Sequence, residues 1–129
     1  MKYAIVALPL CLLTVACVTM DTASVEDRTL PFGCDDVVVV GRVKNSGFSP
    51  VQRDTDFIGH GSASAAITVR KVVRGPELPQ IIPVHYFAHT YMREDRDFML
   101  VLRKSQNGAF GIESGQLMSV RPRLAARCQ

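Results

Sequence analysis

The chain has 129 residues, four cysteines, no tryptophan and a formal net charge of +3 at pH 7. This length is enough for one small domain with one core, and it excludes two separate cores. The charge is too weak to indicate a nucleic-acid-binding protein, and it falls by one if Lys2 is removed with an N-terminal signal.

Residues 1–16 have the pattern of a bacterial export signal. Lys2 gives a positive start, and residues 3–15 are apolar apart from Pro9 and Thr14. A membrane-spanning helix needs about 20 apolar residues, so this shorter run is typical of a signal that is cleaved. We therefore expect residues 1–16 to be removed before Cys17, and the mature protein to enter an oxidising compartment.

Cys17 is the predicted lipidation site. A lipoprotein signal has an aliphatic residue three positions before the cysteine, where this chain has Thr14. Ordinary secretory cleavage at the same bond is therefore the alternative. Cysteine parity favours the lipid, because Cys11 leaves with the signal and acylation of Cys17 leaves Cys34 and Cys128 as an even pair. The protein is then anchored to the envelope, and a soluble periplasmic or secreted protein is the alternative.

Residues 17–33 are predicted to be a polar tether between the lipid and the folded domain. The stretch from Met20 to Leu30 is rich in hydroxyl and charged side chains, a composition typical of linkers. An ordered N-terminal strand or helix is the alternative. Val18, not aspartate, follows Cys17, so the resemblance to lipoprotein signals favours the outer membrane, with the domain facing the periplasm.

Residues 34–129 are predicted to form a mainly β domain. Gly and Pro separate stretches rich in Val, Ile, Phe and Tyr at intervals of about eight to twelve residues, as in all-β domains. The predicted strands cover residues 37–40, 63–73, 81–89, 98–103, 109–112 and 118–120. Gly41 is expected to end the first strand and Pro122 the last, and Asn107-Gly108 forms a hairpin turn. Residues 113–117 are the one candidate helical turn.

Together these elements predict a small OB-like barrel of five or six strands with at most one short helix, either closed or partly open. Closure removes exposed strand edges. In an oxidising compartment we expect a disulfide between Cys34 and Cys128, which ties the first strand to the tail, and two free buried thiols are the alternative. Loop entropy gives this bond about 4 to 5 kcal/mol.

Two segments resemble the opening of netrin modules and of domains like the tissue inhibitors of metalloproteinases. They are residues 34–43, CDDVVVVGRV, and residues 67–75, ITVRKVVRG. The resemblance implies an OB-type barrel. Inhibitors of that family chelate a protease's zinc through an N-terminal cysteine, whereas Cys34 here follows a tether of seventeen residues that begins at Cys17. The additional family disulfides are also absent, so the resemblance bears on fold and not on inhibitory chemistry.

The candidate metal ligands are His60, His85 and His89. His85 and His89 lie four residues apart in a predicted strand, about 13 Å along its axis, which is too far to share one ion. A bend that brought them to His60 would allow a zinc site. No paired metal-binding spacing is present, so we expect solvated strand histidines, no metal and no cofactor.

Two further stretches contain catalytic residue types without a catalytic pattern. Residues 93–97 alternate in charge, and we expect a solvated loop that pairs its own charges instead of an acid-base site. Residues 59–64 lack the phosphate-loop spacing and are expected to be a flexible loop. Ser62 or Ser64 with His60 and an aspartate would have the composition of a catalytic triad, but no nucleophile elbow is present. We therefore predict no catalytic residues.

The basic tail contains Arg121, Arg123 and Arg127, whose guanidinium groups suit the phosphates and carboxylates of lipid headgroups and peptidoglycan. Solubilising charge is the alternative. The leading hypothesis is a non-enzymatic envelope lipoprotein that binds a protein or glycan partner, with no nucleic acid involved. The alternatives are an inhibitor of an envelope protease or lysozyme, acting through a loop at residues 45–60, and a small metal-dependent enzyme.

Overall fold

The computed structural model describes residues 28–51 and 58–128. The predicted signal, Cys17 and most of the predicted tether lie outside these residues. Seven strands are present: β1 (Thr29–Phe32), β2 (Val37–Pro50), β3 (Gly61–Arg74), β4 (Ile81–Ala88), β5 (Asp97–Lys104), β6 (Phe110–Leu117) and β7 (Arg123–Ala126). A 3₁₀ turn, Met118–Val120, separates β6 from β7, and the described ranges contain no α-helix.

Strands β2 to β6 form a closed barrel in the order β2-β3-β4-β6-β5. Neighbouring strands are antiparallel except β4 and β6, which pair in parallel at two positions, Val84 with Phe110 and His85 with Gly111. The sheet closes where β5 pairs with the first half of β2. The predicted mainly β, OB-like barrel is therefore confirmed, with five strands.

The barrel interior holds the main core, and β4 shows the pattern that produces it. Ile82, Val84 and Tyr86 are buried, whereas the residues that alternate with them are exposed. Successive side chains in a strand point to opposite faces, so one face of β4 lines the core and the other meets solvent. The largest fully buried side chains of this core are those of Val39, Val43, Ile67, Leu100 and Leu102.

A second, smaller core lies outside the barrel, beneath a parallel pair formed by β1 and β7. Leu30 and Phe32 of β1 pack with Leu124 of β7 over Val38 and Val101, which are 0% and 1% exposed. This cover explains why the apolar run in β2 is buried on both faces. β1 also lies inside residues 17–33, so the end of the predicted tether is a strand of the folded unit.

A disulfide joins Cys34, which follows β1, to Cys128, which follows β7, as predicted. The cysteines are 94 residues apart in sequence, and their Cα atoms are 5.2 Å apart. Arg127, next to Cys128, donates its backbone N–H to the Phe32 carbonyl at 2.9 Å. The bond therefore fixes β1 and β7 on the outside of the barrel.

Four sequence expectations about strands and their limits are wrong, three of them between residues 113 and 122. The expected helical turn at residues 113–117 is part of β6, because the apolar strand β5 pairs with it along its length. Residues 118–120, expected to be the last strand, form the 3₁₀ turn, and β7 follows Pro122 instead of ending before it.

Gly41 does not end β2, which continues to Pro50. A Cβ at Gly41 would lie 2.7 Å from both Ile67 Cγ2 and the Thr68 carbonyl oxygen. The glycine therefore permits a close approach of β2 and β3 at a register shift in their pairing.

Candidate functional site

The candidate site is one end of the barrel, which we call the aromatic end and define by Phe48, His60, Phe87, His89 and Tyr91. Phe48 lies near the end of β2, His60 just before β3, Phe87 near the end of β4, and the last two in the β4–β5 connection. These segments converge because Gly61, the first residue of β3, pairs with the last residue of both β2 and β4.

The rings at the aromatic end contact one another in pairs. His60 stacks on Phe87 with ring centroids 5.5 Å apart and planes 7° apart, and it meets His89 edge to face at 5.7 Å. Tyr91 packs edge to face on Phe48 at 5.8 Å. Phe87 is nevertheless 58% exposed and Tyr91 47% exposed. A cluster of exposed rings is typical of a binding surface.

Hydrogen bonds beneath these rings hold the β4–β5 connection in place. The buried Tyr86 hydroxyl donates to Asn45 Oδ1 at 2.6 Å and accepts from the Met92 N–H at 2.9 Å. Asn45 Nδ2 donates to the Met92 carbonyl, and its backbone N–H donates to Glu94 Oε1 at 2.7 Å. Burial raises the pKa of Tyr86 above its usual 10.0. Tyr91 is therefore presented by an anchored segment.

The structure brings together two of the three predicted histidines. His60 and His89 are in contact, whereas His85 lies in β4 opposite Gly111 of β6. Within the described residues, no group of three or more His, Cys, Asp or Glu side chains is placed to hold a metal ion. The three-histidine zinc site considered from sequence is therefore not formed there.

The charged stretch at residues 93–97 is solvated at its centre and anchored at its end. Arg93 donates twice to the exposed Asp95, at 3.0 and 2.7 Å, as expected for a loop that pairs its own charges. Asp97 instead begins β5, and its Oδ1 accepts from Arg42 Nε and Arg70 Nε at 3.0 and 3.1 Å. That carboxylate links three strands of the barrel.

Residues 59–64 are only partly a loop. Gly61–Ser64 belongs to β3, where Ser62 and Ser64 are exposed and alternate with buried residues. The expectation of a flexible loop is therefore wrong for these four residues. Ser64 pairs across the sheet with His85, not with His60. Residues 45–50 belong to β2, which shortens the predicted inhibitory loop, and residues 52–57 of that loop lie outside the described ranges.

The three arginines of the basic tail are all exposed. Arg121 follows the 3₁₀ turn with a left-handed φ of 53°, Arg123 begins β7, and Arg127 follows it. Arg127 also lines a small cavity of about 220 Å³ beside Asp36 and Arg103. Whether the tail binds an anionic polymer stays a prediction.

Sequence analysis missed the ion pair between Asp36 and Arg103. Arg103 Nη1 also lies 3.1 Å from Glu113 Oε2 as an ion pair. Arg103 donates hydrogen bonds to both carboxylate oxygens of Asp36, at 3.0 and 3.1 Å. These hydrogen bonds hold the pKa of Asp36 below its usual 3.8 despite burial, which acts in the opposite direction. The available signal was an acidic pair just before β2, but its partner is 67 residues away.

Comparison of the chain with protein-family models, curated proteins and solved structures finds no match. Across residues 28–51 and 58–128, no helix combines the length and apolar character needed to cross a membrane.

Proposed function

We propose that the protein is a non-enzymatic cell-envelope lipoprotein whose barrel binds a protein or glycan partner. The observation that carries this proposal is the aromatic end, where Phe87 and Tyr91 expose about half of their surface. Aromatic rings pack against apolar protein surfaces and against the apolar faces of sugars. Because packing and hydrogen bonds already hold these rings, binding costs little side-chain entropy.

The envelope location is supported by the N-terminal pattern and by the disulfide. A lipid on Cys17 anchors the mature chain, and residues 18–27 separate this cysteine from the described fold. Ten extended residues span at most about 35 Å, which keeps the barrel close to the membrane surface. A disulfide such as Cys34–Cys128 is typical of proteins outside the reducing cytosol. The five-stranded barrel is also compatible with the resemblance to netrin-like modules.

The anchor is tested by fractionating cells that express the full chain or its Cys17→Ser variant. We expect the parent protein in the membrane fraction and the variant in the soluble periplasmic fraction. Globomycin, which blocks lipoprotein signal cleavage, should cause the parent protein to accumulate with its signal attached. Identical partitioning of parent and variant contradicts lipidation at Cys17.

The binding surface is tested with the soluble Cys17→Ser protein against peptidoglycan sacculi and, separately, against solubilised envelope proteins. A second substitution, Phe87→Ala, is compared with Ile81→Ala. Ile81 is a matched control because it is 63% exposed and lies at the opposite end of β4. We expect Phe87→Ala to weaken retention by about tenfold and Ile81→Ala to leave it unchanged, as for a central aromatic contact. Equal retention by both variants contradicts the aromatic end as the surface. Inhibition of lysozyme or of an envelope protease would instead support the inhibitor alternative.

A further inference from the structure

A second groove lies at the other end of β3, far from the aromatic end. It has a volume of about 610 Å³, and we call it the β3 groove. Its lining residues are Val69, Arg70, Lys71, Val72, Val73, Arg74, Gly75, Glu77, Leu78 and Gln80. β3 has 14 residues, so at about 3.3 Å per residue its two ends are separated by up to roughly 40 Å along the strand. The groove is therefore a surface distinct from the aromatic end.

One edge of β3 is open along this groove because β3 is longer than its neighbour β4. The β3–β4 pairing ends at Thr68 with Ile81, and one further bond joins the Val69 N–H to the Gln80 carbonyl at 2.7 Å. On the other edge, β2 continues to pair with β3 as far as Arg74. Residues 70–74 are thus held extended on one side and have no strand partner on the other side within the described ranges.

The rim of the groove is positive. Arg70, Lys71 and Arg74 line it together with one acidic residue, Glu77. Arg70 is already paired with Asp97 of β5, so Lys71 and Arg74 carry the positive charge of the rim. Arg74 is fixed in place by a hydrogen bond from Nη2 to the Cys34 carbonyl at 3.1 Å and lies 4.7 Å above the Phe32 ring. Lys71 is exposed and makes no ion pair with any residue that the structure describes. The groove therefore favours a negatively charged occupant.

Four apolar residues, Val69, Val72, Val73 and Leu78, also line the groove, and we call them its floor. Val69, Val72 and Leu78 are partly buried and pack against the barrel core, and Val73 is 38% exposed beside them. An added strand would place alternate side chains on opposite faces. Apolar residues of such a strand can pack on this floor while alternate acidic residues meet the basic rim.

We propose that the β3 groove binds an extended acidic peptide segment of another protein, which adds as a strand along residues 70–74 of β3. Backbone hydrogen bonds to the open edge supply affinity, and the basic rim with the apolar floor supplies the sequence preference. The same positive charges repel the identical edge of a second copy, a common protection of exposed strand edges. This site goes beyond the proposed function, because it does not involve the aromatic end.

The probe is a fluorescein-labelled eight-residue peptide that alternates valine with glutamate, titrated by fluorescence anisotropy with the soluble Cys17→Ser protein. A peptide with lysine in place of glutamate tests the charge. The acidic peptide with alternate backbone nitrogens methylated tests strand addition, because methylation removes donors without changing charge. We expect both control peptides to bind at least about tenfold more weakly. Equal binding of the methylated peptide overturns strand addition and indicates plain attraction for polyanions.

The location is tested with Lys71→Glu against Lys44→Glu. Both lysines are exposed strand residues and both substitutions make the same charge change, but Lys44 lies in β2 outside the groove. We expect Lys71→Glu to weaken acidic-peptide binding by about tenfold and Lys44→Glu to change it by less than about twofold. Equal effects overturn the assignment.

An NMR titration of the unsubstituted surface provides a readout that does not depend on the folding of a variant. Amide shifts should change along residues 69–75 and not at the aromatic end. Shifts confined to residues around Phe87, or loss of peptide binding in Phe87→Ala, place the peptide at the aromatic end. That outcome overturns this inference and leaves the proposed function standing.

Discussion

Asp36 is a buried carboxylate that links the outer β1–β7 pair to the barrel. Its replacement by asparagine tests how much this link stabilises the fold. Its side chain is 3% exposed. It accepts the Gly33 N–H at 2.6 Å and two hydrogen bonds from Arg103 at 3.0 and 3.1 Å. Asp36→Asn keeps the size of the side chain but replaces one accepting oxygen with a donor that faces other donors.

The expected loss follows from these contacts. A hydrogen bond to a charged group is worth about 1.5 to 3 kcal/mol, and breaking a fully buried ion pair costs about 3 to 5 kcal/mol. Arg103 is 57% exposed, so water replaces part of what its guanidinium loses and the upper range does not apply. We expect Asp36→Asn to lower the free energy of unfolding by about 2 to 3 kcal/mol near neutral pH.

The pH dependence gives this prediction a second, independent readout. Arg103 lowers the pKa of Asp36 below 3.8 in the folded protein, so the unfolded chain binds the proton more tightly. The stabilisation by Asp36 is therefore complete above the unfolded pKa and is lost as pH falls through the lower folded pKa. The difference between parent and variant should be constant from about pH 5 to 7 and shrink below about pH 4.

Urea unfolding followed by circular dichroism between pH 2.5 and 7 measures both effects. Asp95→Asn is the matched control, because Asp95 is also bound by an arginine but is exposed, and we expect no measurable change from it. Equal stability of Asp36→Asn and parent at pH 7, or a difference that persists unchanged to pH 2.5, would refute the reasoning.

Three further experiments test the fold. Gly41→Ala should destabilise the barrel by about 1 to 3 kcal/mol through overpacking. Gly47→Ala is the control, because no atom lies within 4 Å of its added Cβ, and it should not destabilise the barrel. Equal melting temperatures of the two variants would contradict the close approach of β2 and β3 at Gly41. Replacing Cys34 and Cys128 by serine, which opens a 94-residue separation, should cost about 4.7 kcal/mol in urea unfolding, and an unchanged midpoint would exclude the clamp. Tyr86→Phe should cost about 1 to 2 kcal/mol, because it removes the hydroxyl that pairs with the partly buried Asn45 Oδ1 and Met92 N–H. The pKa of Tyr86 is raised in the folded protein. The stabilisation by its hydroxyl is therefore complete below pH 10 and is lost as pH rises through the folded pKa. A difference between parent and variant that persists unchanged at strongly alkaline pH would contradict this role.

The barrel could be predicted from the sequence because the pattern of apolar residues along its strands matches the pattern of burial in the fold. β4 alternates buried and exposed residues as an isolated amphipathic strand would, and the four consecutive valines at residues 37–40 indicated a strand, which the structure places at the start of β2. Residues 113–117 carry no such pattern, and they become a strand only because β5 pairs with them. Tertiary pairing decides the conformation of such a segment, so local propensity cannot.

The candidate surfaces were less predictable, because they depend on the register of strands far apart in sequence. His60 was a candidate and Phe87 was not singled out, although the two rings stack once Gly61 pairs with Ala88. The groove depends on a mismatch in length, since β3 has 14 residues and β4 has eight. Neither relationship is visible in a local window of sequence.

β3 contributes to both candidate surfaces, and its position in the barrel explains where they lie. The outer pair of β1 and β7 covers the outside of β2 and β5 at Val38 and Val101, which removes that side of the barrel from binding. Among the residues that the structure describes, most of β3 lies outside this cover, although Arg74 at its end contacts Phe32 and the Cys34 carbonyl. One end of β3 lies beside β2 and β4 at the aromatic end, and the other lies beyond the last residue that pairs with β4. The disulfide fixes the outer pair on the barrel. A lipid on Cys17 would therefore be connected to the covered side of the barrel, through the chain that precedes β1. Both candidate surfaces then lie on strands that the anchor does not occupy.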